Sequence, residues 1–544
     1  MMGGIGIAFG DDIEHANGGR ADELLESLVR DRVASRIFAH DAGLWGSAAE
    51  AEAAIRLGWT DFAAAADELL PRVEALRAEL SAAGVDRIVL CGMGGSSLAP
   101  AVIARWADAG LTMIDSTHPA AVARVLGGDL ARTAVVVSSK SGSTIETRSH
   151  LAAFEQAFRE AGIDPASRVV IVTDPGSPLD DESRAAGRHV FNADPNVGGR
   201  FSALTAFGLV PSGLAGVDVR RLVDEAQAVR EALAVDGAQN PALRLAAAIA
   251  AGLPERCILA VREAESARWG LGSWIEQLIA ESTGKDGHGV LPIALPASAP
   301  EFRDPPPNTV VATVAGTEDA AAEPCDTGIL VAAPLGAQML LWEVATAALG
   351  RLMGIDPFNQ PDVEAAKVAA RAALAEAGRA AGLDGADGSG TAGAEGVGAQ
   401  QALLATPSSA GEILKRLREA VPSEGYLSIQ AYVDPQGALA APLGELRDRL
   451  SAHLRVPVSL GFGPSYLHSV GQLHKGGPAL GAFLQITDEG APDVPIPDSQ
   501  SFGVLIAAQA RGDREVLTER GRPVIAVTLP YGDTAVIDAL LAEV

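Results

Sequence analysis

Short apolar runs alternate with helical segments along most of the chain, and this alternation limits the possible folds more than any other feature. The runs "DRIVLCGMGG", "LTMIDS", "TAVVVSSKSGS" and "SRVVIVTDPGS" each have the length of a buried strand. Segments with apolar residues at three- and four-residue steps, typical of helices, separate them. The sequence therefore predicts β-α-β units and a doubly wound parallel sheet.

The same alternation continues on both sides of this region. "ADELLESLVRDRVASRIFA" and "DFAAAADELLPRVEALRAELSAAG" predict that the first 80 residues are helical. Beyond residue 240, strands are predicted at "RCILAV", "GVLPIAL", "NTVVATV" and "GILVAA", with helices at "SARWGLGSWIEQLIAESTGK", "GAQMLLWEVATAALGRLMG" and "NQPDVEAAKVAARAALAEAG". Towards the C-terminus, "GYLSIQAYV", "VPVSLGFGP", "GAFLQIT", "SFGVLIAAQ" and "PVIAVTL" predict five more strands.

These segments predict three α/β domains. We assign residues 1–230 to a first domain, 231–381 to a second and 401–544 to a third. Residues 382–400, "GLDGADGSGTAGAEGVGAQ", contain little that could be buried, so a flexible linker is expected there.

Composition excludes several classes of protein. No apolar run reaches the roughly 18 residues that span a membrane, and the N-terminal sequence lacks the pattern of a secretion signal. The three cysteines show neither a metal-binding nor a disulfide spacing, so a cytoplasmic protein is expected. A formal charge of −27 argues against nucleic acid as a partner. An anionic ligand would need a local positive site.

The stretch "SSKSGST" follows a predicted buried strand and precedes a predicted helix. Ligands of open parallel sheets bind beyond the carboxyl ends of the strands. Backbone N–H groups at the start of a helix attract anions, and the hydroxyls of Ser139, Ser141, Ser143 and Thr144 could add donors. A phosphate site is one interpretation, and ordinary helix capping and turn formation is the other.

A second loop of this kind occurs in "VLCGMGGSSLAP". Its glycines and the later Asp115 partly match a dinucleotide fingerprint, but Ser97 occupies the position of the third glycine. Two Ser/Gly loops on neighbouring strands fit one phosphate better than they fit a dinucleotide.

Five motifs, in order, resemble those of the sugar isomerase (SIS) fold and more closely the glucose-6-phosphate isomerase family. They are "GMGGSSLAP", "SSKSGSTIET", "VGGRFSALTAFGLVP", "ESTGK" and "PFNQPDVEAAK". The chain most resembles the isomerase half of transaldolase–glucose-6-phosphate isomerase fusions, including "LHSVGQLHKGGP". This resemblance implies two SIS domains, each an α-β-α sandwich, followed by the C-terminal α/β domain. It also implies interconversion of glucose 6-phosphate and fructose 6-phosphate through an enediolate, a place in glycolysis and gluconeogenesis, no cofactor or metal, and a homodimer.

The resemblance also implies roles for individual residues. Those implied to bind the sugar phosphate are Gly95, Ser96, Ser139, Lys140, Ser141, Thr144, Gln277 and Gln360. Those implied to be catalytic are Glu281 as the base, Arg200 beside the reacting carbons, Lys367, and a histidine that opens the sugar ring.

The position of that histidine departs from the family pattern. The family places it between the catalytic Glu and the closing helix, where this chain has only His288, too close to "ESTGK" to match. His468 precedes Gln472 by the four residues seen in the family, so we expect the third domain to supply it. His474 is the second candidate, and either could act from its own or a partner subunit.

Three other functions remain open on the sequence. An isomerase of the same fold could act on mannose 6-phosphate, and a related domain could bind a sugar phosphate without catalysis. A nicotinamide oxidoreductase is the third, and Ser97 weighs against it. A non-catalytic domain that binds a sugar phosphate, here called the sensor, would be expected to lack Glu281 or Arg200, and both are present.

Overall fold

Three sheets form the framework of the protein in the computed structural model, which describes residues 4–14, 19–317, 325–362 and 409–544. The strands are β1 (Gly6–Phe9), β2 (Arg87–Gly92), β3 (Leu111–Ile114), β4 (Thr133–Ser138), β5 (Val169–Thr173), β6 (His189–Asn192), β7 (Ile258–Glu263), β8 (Leu291–Ala294), β9 (Thr309–Ala315), β10 (Ile329–Ala332), β11 (Tyr426–Tyr432), β12 (Val458–Phe462), β13 (Gly481–Glu489) and β14 (Val524–Pro530).

The described helices cover the faces of these sheets. They are α1 (Asp11–Glu14), α2 (Arg20–Arg30), α3 (Val33–Phe38), α4 (Glu50–Ala53), α5 (Phe62–Ala82), α6 (Leu98–Trp106), α7 (Pro119–Leu126), α8 (Ile145–Glu160), α9 (Pro178–Ala185), α10 (Ala206–Leu214), α11 (Val219–Leu233), α12 (Pro241–Ala251), α13 (Leu271–Thr283), α14 (Leu335–Met353), α15 (Ala410–Ala420), α16 (Ala440–Leu454), α17 (Gly471–Gly476), α18 (Phe502–Glu519) and α19 (Ala535–Glu543). Within the described ranges, no helix combines the length and apolarity needed to cross a bilayer.

The three sheets share one strand order. It is β3-β2-β4-β5-β6 in the first unit, β8-β7-β9-β10-β1 in the second and β12-β11-β13-β14 in the third. The first strand of each unit lies between the second and the third, which creates a switch point at the carboxyl ends of the strands. The predicted doubly wound α/β class, two SIS-like units followed by a third α/β unit, is confirmed.

Two elements contradict the sequence-based prediction, a third, β6, was not predicted, and most of the predicted helix "NQPDVEAAKVAARAALAEAG" lies outside the described residues. Gly6–Phe9 is a strand, antiparallel to β10 at the edge of the second sheet, although this segment was predicted to be helical. A four-residue strand has too short a pattern to be recognised, and its partner lies more than 300 residues away. The predicted strand "SFGVLIAAQ" is wrong: it begins α18, where the Ser501 hydroxyl accepts a hydrogen bond from the Val504 N–H. Apolar runs of this length do not distinguish a strand from a buried helix.

Apolar clusters hold the third unit against the other two. One joins Ile258 and Leu291 of the second sheet to Tyr426 and Phe483 of the third. Another places Phe502 of α18 against the first sheet. A buried ion pair crosses the same boundary, with Arg447 Nη1 2.8 Å from Glu301 Oε1. These contacts bring loops of all three units together. The predicted linker 382–400 and Lys367 lie outside the described residues.

Candidate active site

Glycines at the end of β2 allow three segments of the chain to meet. A Cβ atom on Gly95 would lie 2.0 Å from the carbonyl oxygen of Gly199, and one on Gly94 would lie 2.5 Å from that of His468. Side chains at either position would therefore separate the neighbouring segments. Ser96 closes this turn and is half-buried. The turn holds Arg200 and His468 against the first sheet.

The Ser/Thr loop follows β4 at the same edge of the sheet. The Ser139 hydroxyl donates to the Thr144 hydroxyl over 3.1 Å, and the hydroxyls of Ser141 and Ser143 lie 3.0 Å apart. Thr144 precedes α8, but its side chain makes no capping hydrogen bond to the described backbone. The Ser143 N–H also donates to Ser141 Oγ over 3.3 Å, so the loop combines hydroxyl pairs with a local turn contact. Lys140 Nζ pairs with Asp174 at 2.6 Å, so the backbone of Lys140 is what it contributes to the loop.

Arg200 is almost fully buried and joins two parts of the site. Its Nε donates to Ser282 Oγ over 2.8 Å, and its Nη1 lies 3.3 Å from Glu281 Oε2. Nη1 also donates to Gln360 Oε1 over 2.9 Å, and Nη2 donates to the carbonyl of Pro357 over 2.7 Å. Because Arg200 stays charged at any physiological pH, it provides a fixed positive charge in a buried site.

Glu281 and Gln277 occupy one face of α13, as their four-residue spacing predicts. Gln277 Nε2 lies 3.5 Å from Glu281 Oε1 and donates to the His468 carbonyl over 2.7 Å. Gln277 Oε1 is buried and has no hydrogen-bond partner among the described residues. Burial raises the pKa of the Glu281 carboxyl above its ordinary value, although Arg200 acts in the opposite direction. A carboxylate with a raised pKa is suited to proton transfer near neutral pH.

His468 lies in the turn Ser465–His468 and faces an acid that sequence reasoning missed. Its Nε2 is 3.1 Å from Oε1 of Glu146, in the first turn of α8. Burial is the largest single influence on Glu146 and opposes its ionisation, but His468, a backbone hydrogen bond and His150 together hold the pKa of Glu146 below its ordinary value. In the sequence, an acid in the first turn of a helix indicates only a favourable interaction with the helix dipole. Its burial, 5% exposed, is what distinguishes it.

His474, the second candidate, has a different environment. Its Nδ1 is 2.9 Å from the Tyr426 hydroxyl, and its ring packs on those of Tyr426 and Phe483. Burial lowers its pKa to about 3. Asp115, which the dinucleotide interpretation required, instead accepts a hydrogen bond from Ser465 of the third unit over 2.7 Å.

Lys285, the last residue of "ESTGK", is a second residue that the sequence analysis left out. Its ammonium donates to the carbonyls of Asp356 and Asn359, both over 2.7 Å, and to Asn359 Oδ1 over 2.8 Å. Arg200 Nη2 donates to the same Asn359 carbonyl over 3.1 Å. Lys285 therefore fastens residues 356–360, the loop that carries Gln360 to Arg200.

Comparison with known proteins identifies relatives of this chain. No family model matches it. A glucose-6-phosphate isomerase of Synechococcus sp. (strain JA-3-3Ab) is 31% identical over 348 residues, 52% of this chain and 65% of the relative. The chain thus spans just under two thirds of that relative. The glucose-6-phosphate isomerase of Rubrobacter xylanophilus is 31% identical over 392 residues, which cover 57% of this chain and 89% of the relative.

Two solved structures superpose on this chain and share its fold. A hypothetical protein of Thermus thermophilus superposes with a TM-score of 0.56 at 27% identity, over 68% of this chain and all of that protein. A glucose-6-phosphate isomerase of Chlamydia trachomatis shares the fold, with a TM-score of 0.54 at 19% identity, over 70% of this chain and 91% of that one. With the Rubrobacter enzyme matched over most of its length, the chain belongs to the glucose-6-phosphate isomerase family.

Proposed function

We propose that this protein interconverts glucose 6-phosphate and fructose 6-phosphate. The observation that carries the proposal is the meeting of a buried carboxylate, Glu281, with Arg200 and with the pair His468–Glu146 around the Gly94–Ser96 turn. Proton transfer, charge stabilisation and ring opening each find a suitable group there. Family membership supports the same reaction.

The proposed proton transfer uses Glu281. It removes the proton from C2 of the open-chain aldose and returns it to C1, while the hydroxyl proton of O2 passes to O1, so the enzyme ends the cycle unchanged. Burial favours the protonated form of Glu281 and thereby brings its pKa closer to working pH. Arg200 lies beside Glu281 and stabilises the negative charge that develops on the enediolate oxygens.

Ring opening is assigned to His468. When Nε2 carries the proton and donates it to Glu146, the other ring nitrogen, Nδ1, can exchange a proton with the sugar. The ionised Glu146 stabilises the imidazolium that forms during this exchange. This arrangement supports His468 for the role over His474, whose low pKa opposes protonation.

Binding is assigned to the two loops at the switch point of the first sheet. Gly95, Ser96, Ser139, Ser141, Thr144 and the backbone of Lys140 hold the phosphate, and Gln277 and Gln360 contact the sugar. Lys367, outside the described residues, keeps its proposed catalytic role. We also propose the division into domains at 1–230, 231–381 and 401–544, which rests on the pattern of strands and helices and on the family resemblance.

The resemblance further supports a cytoplasmic location, a homodimer and a place in glycolysis and gluconeogenesis, and we include these three features in the proposal. Glu281 and Arg200 lie in contact within one copy of the chain, as do His468 and Glu146. Analytical ultracentrifugation would test the oligomeric state.

A coupled assay tests the activity. Fructose 6-phosphate is supplied, and the glucose 6-phosphate formed is measured with a glucose-6-phosphate dehydrogenase. We expect turnover with fructose 6-phosphate and little with mannose 6-phosphate. Mannose 6-phosphate would be isomerised to fructose 6-phosphate, so its turnover is followed by adding a known glucose-6-phosphate isomerase before the dehydrogenase. Binding of either sugar phosphate without turnover would support the non-catalytic sensor, and turnover of mannose 6-phosphate alone would support the other isomerase.

A further inference from the structure

Gln509, in α18 of the third unit, contacts the acid that faces His468. Its Nε2 donates to Glu146 Oε1 over 2.8 Å, and its side-chain oxygen accepts a hydrogen bond from Thr117 Oγ1 over 2.7 Å. Gln509 is 3% exposed and Thr117 is fully buried. The contacts form one continuous chain from Thr117 through Gln509 and Glu146 to His468.

This chain of contacts fixes how the Gln509 amide is oriented. An ionised carboxylate only accepts hydrogen bonds, so the amide NH₂ must face Glu146, and the Thr117 hydroxyl then donates to the amide oxygen and holds this orientation. Glu146 Oε1 then receives two donors, Gln509 Nε2 and His468 Nε2, from two different elements of the third unit. A buried carboxylate held on one side by an amide has little freedom to turn away from the histidine on the other.

We propose that Gln509 is a positioning residue, which aims the Glu146 carboxylate at His468 and thereby sets the efficiency of ring opening. The proposal rests on the proposed function. It gives the third unit two contributions to one step: the histidine itself, and the amide that orients the acid behind it. Gln509 acts only through Glu146, so it affects ring opening and leaves proton transfer between C2 and C1 unchanged.

Ring opening can be measured separately from isomerisation. Opening and reclosing the ring exchanges the two anomers of glucose 6-phosphate without moving the C2 proton. In a Glu281→Gln background, which lacks the base, exchange between anomers catalysed by the protein and followed by NMR reports ring opening alone.

Gln509→Met, which keeps the length of the side chain and removes its hydrogen bonds, should slow this exchange about tenfold or more, a part of the roughly 10²–10⁴-fold that general acid–base catalysis contributes. Gln485→Met is the matched control. Gln485 is a fully buried glutamine of the same unit that also makes one donor and one acceptor contact, with the Ala510 carbonyl and with Arg514 Nη1. Anomer exchange in the control should stay within twofold of the Glu281→Gln parent.

A second variant, Gln509→Glu, tests the pH dependence of anomer exchange, which would not change if Gln509 had only a structural role. In Gln509→Glu, the new carboxyl can donate to Glu146 only while it is protonated. Its anomer exchange should therefore fall as pH rises from 5 to 8, relative to the parent. Thr117→Val, which removes the hydroxyl that orients the amide, should reduce exchange in the same direction.

The possible outcomes separate the two proposals. Exchange within twofold of the parent in Gln509→Met, or a pH profile unchanged in Gln509→Glu, overturns the positioning role. If Gln509→Met does not fold, the positioning role is tested with Gln509→Glu and Thr117→Val instead. Anomer exchange within twofold of the parent in Thr117→Val, or an unchanged pH profile in Gln509→Glu, then overturns it. Absence of isomerisation in the wild-type protein would instead overturn the proposed function, whatever Gln509 does.

Discussion

At the scale of single residues, the buried carboxylate beside a fixed positive charge is the centre of the proposed chemistry. Glu281 is 5% exposed and lies 3.3 Å from Arg200. Burial makes the protonated form accessible, while Arg200 limits how far the pKa can rise. The pair can therefore accept a proton from carbon and stabilise the resulting anion within one site.

Glu281→Gln should remove isomerisation and leave ligand binding nearly intact. An amide cannot accept the C2 proton, whereas the phosphate is held by a different loop. Steady-state kinetics and calorimetric binding of a sugar-phosphate inhibitor measure the two effects. A variant with near-wild-type kcat would show that another group is the base.

His468→Ala should slow isomerisation of cyclic glucose 6-phosphate by about 10²–10⁴-fold, because the ring must open before C2 can react. In the Glu281→Gln background it should also remove the protein-catalysed exchange between anomers. His474→Ala is the comparison, and its effect should fall on stability because that ring packs against Tyr426 and Phe483. A loss of anomer exchange in His474→Ala alone would transfer the role to His474.

At the scale of elements, two loops carry residues of the proposed site. One follows β4 and the other follows α14. The first presents paired hydroxyls before α8, and the second, residues 356–360, carries Gln360. Each depends on contacts with a neighbouring element: Thr173 Oγ1 donates to the Ser139 carbonyl over 2.7 Å, and Lys285 binds the second loop.

Ser139→Ala combined with Thr144→Ala should weaken binding of substrate and of phosphorylated inhibitors together. A hydrogen bond to a charged group contributes about 1.5–3 kcal/mol, so the loss in affinity should be tenfold or more. Calorimetry with a sugar-phosphate inhibitor measures it, and Ser167→Ala on an exposed turn serves as the control. Unchanged inhibition would place the phosphate elsewhere.

Lys285 predicts a pH dependence of stability. Burial lowers its pKa to about 7 in the folded state, against the ordinary value of 10.5. Between these values the unfolded chain binds the proton and the folded one does not, so the contribution of Lys285 to stability increases with pH across this window. This increase in the free energy of unfolding cannot exceed about 1.4 kcal/mol per pH unit for one proton.

Lys285→Met should remove this contribution. The difference in free energy of unfolding, wild type minus variant, should therefore increase between pH 7 and 9. Urea titrations at several pH values measure the difference. A difference that stays constant with pH would show that the amine is charged throughout this range.

At the scale of the whole molecule, the third unit has its own core and also supplies side chains to the proposed site. It has a separate apolar cluster and its own sheet, yet its turn Ser465–His468 and helix α18 reach groups of the first unit. The boundary is held partly by the buried pair Glu301–Arg447, whose side chains are 0% and 4% exposed.

Glu301→Ala should destabilise the protein by about 3 kcal/mol, because it leaves a buried charge poorly paired. Asp448, also paired with Arg447, limits the loss. Arg132→Ala is the matched control: it breaks a pair with Asp86 in which both side chains are more than half exposed, so its effect on stability should be much smaller than that of Glu301→Ala. Equal effects of the two variants in urea unfolding would contradict a holding role for the buried pair.

The sequence by itself determined the elements and the loops at their ends. Strands such as "TAVVVS" and helices such as "SWIEQLIAEST" have patterns that repeat within a few residues, so they are legible without tertiary contacts. The same holds for Gln277 and Glu281, which the helical repeat places on one face. The four-residue strand β1 and the start of α18 were misread because their patterns are short or shared by both kinds of element.

Only the tertiary structure decided which distant groups meet. Glu146 is separated by 322 residues from His468 and by 363 from Gln509. Burial of apolar surface brings the third unit onto the first, and that force is non-directional, so no local pattern specifies which polar groups become neighbours. For the same reason, the loop that Lys285 fastens could not be assigned from "ESTGK". Local spacing encodes the elements, whereas packing between units determines the site.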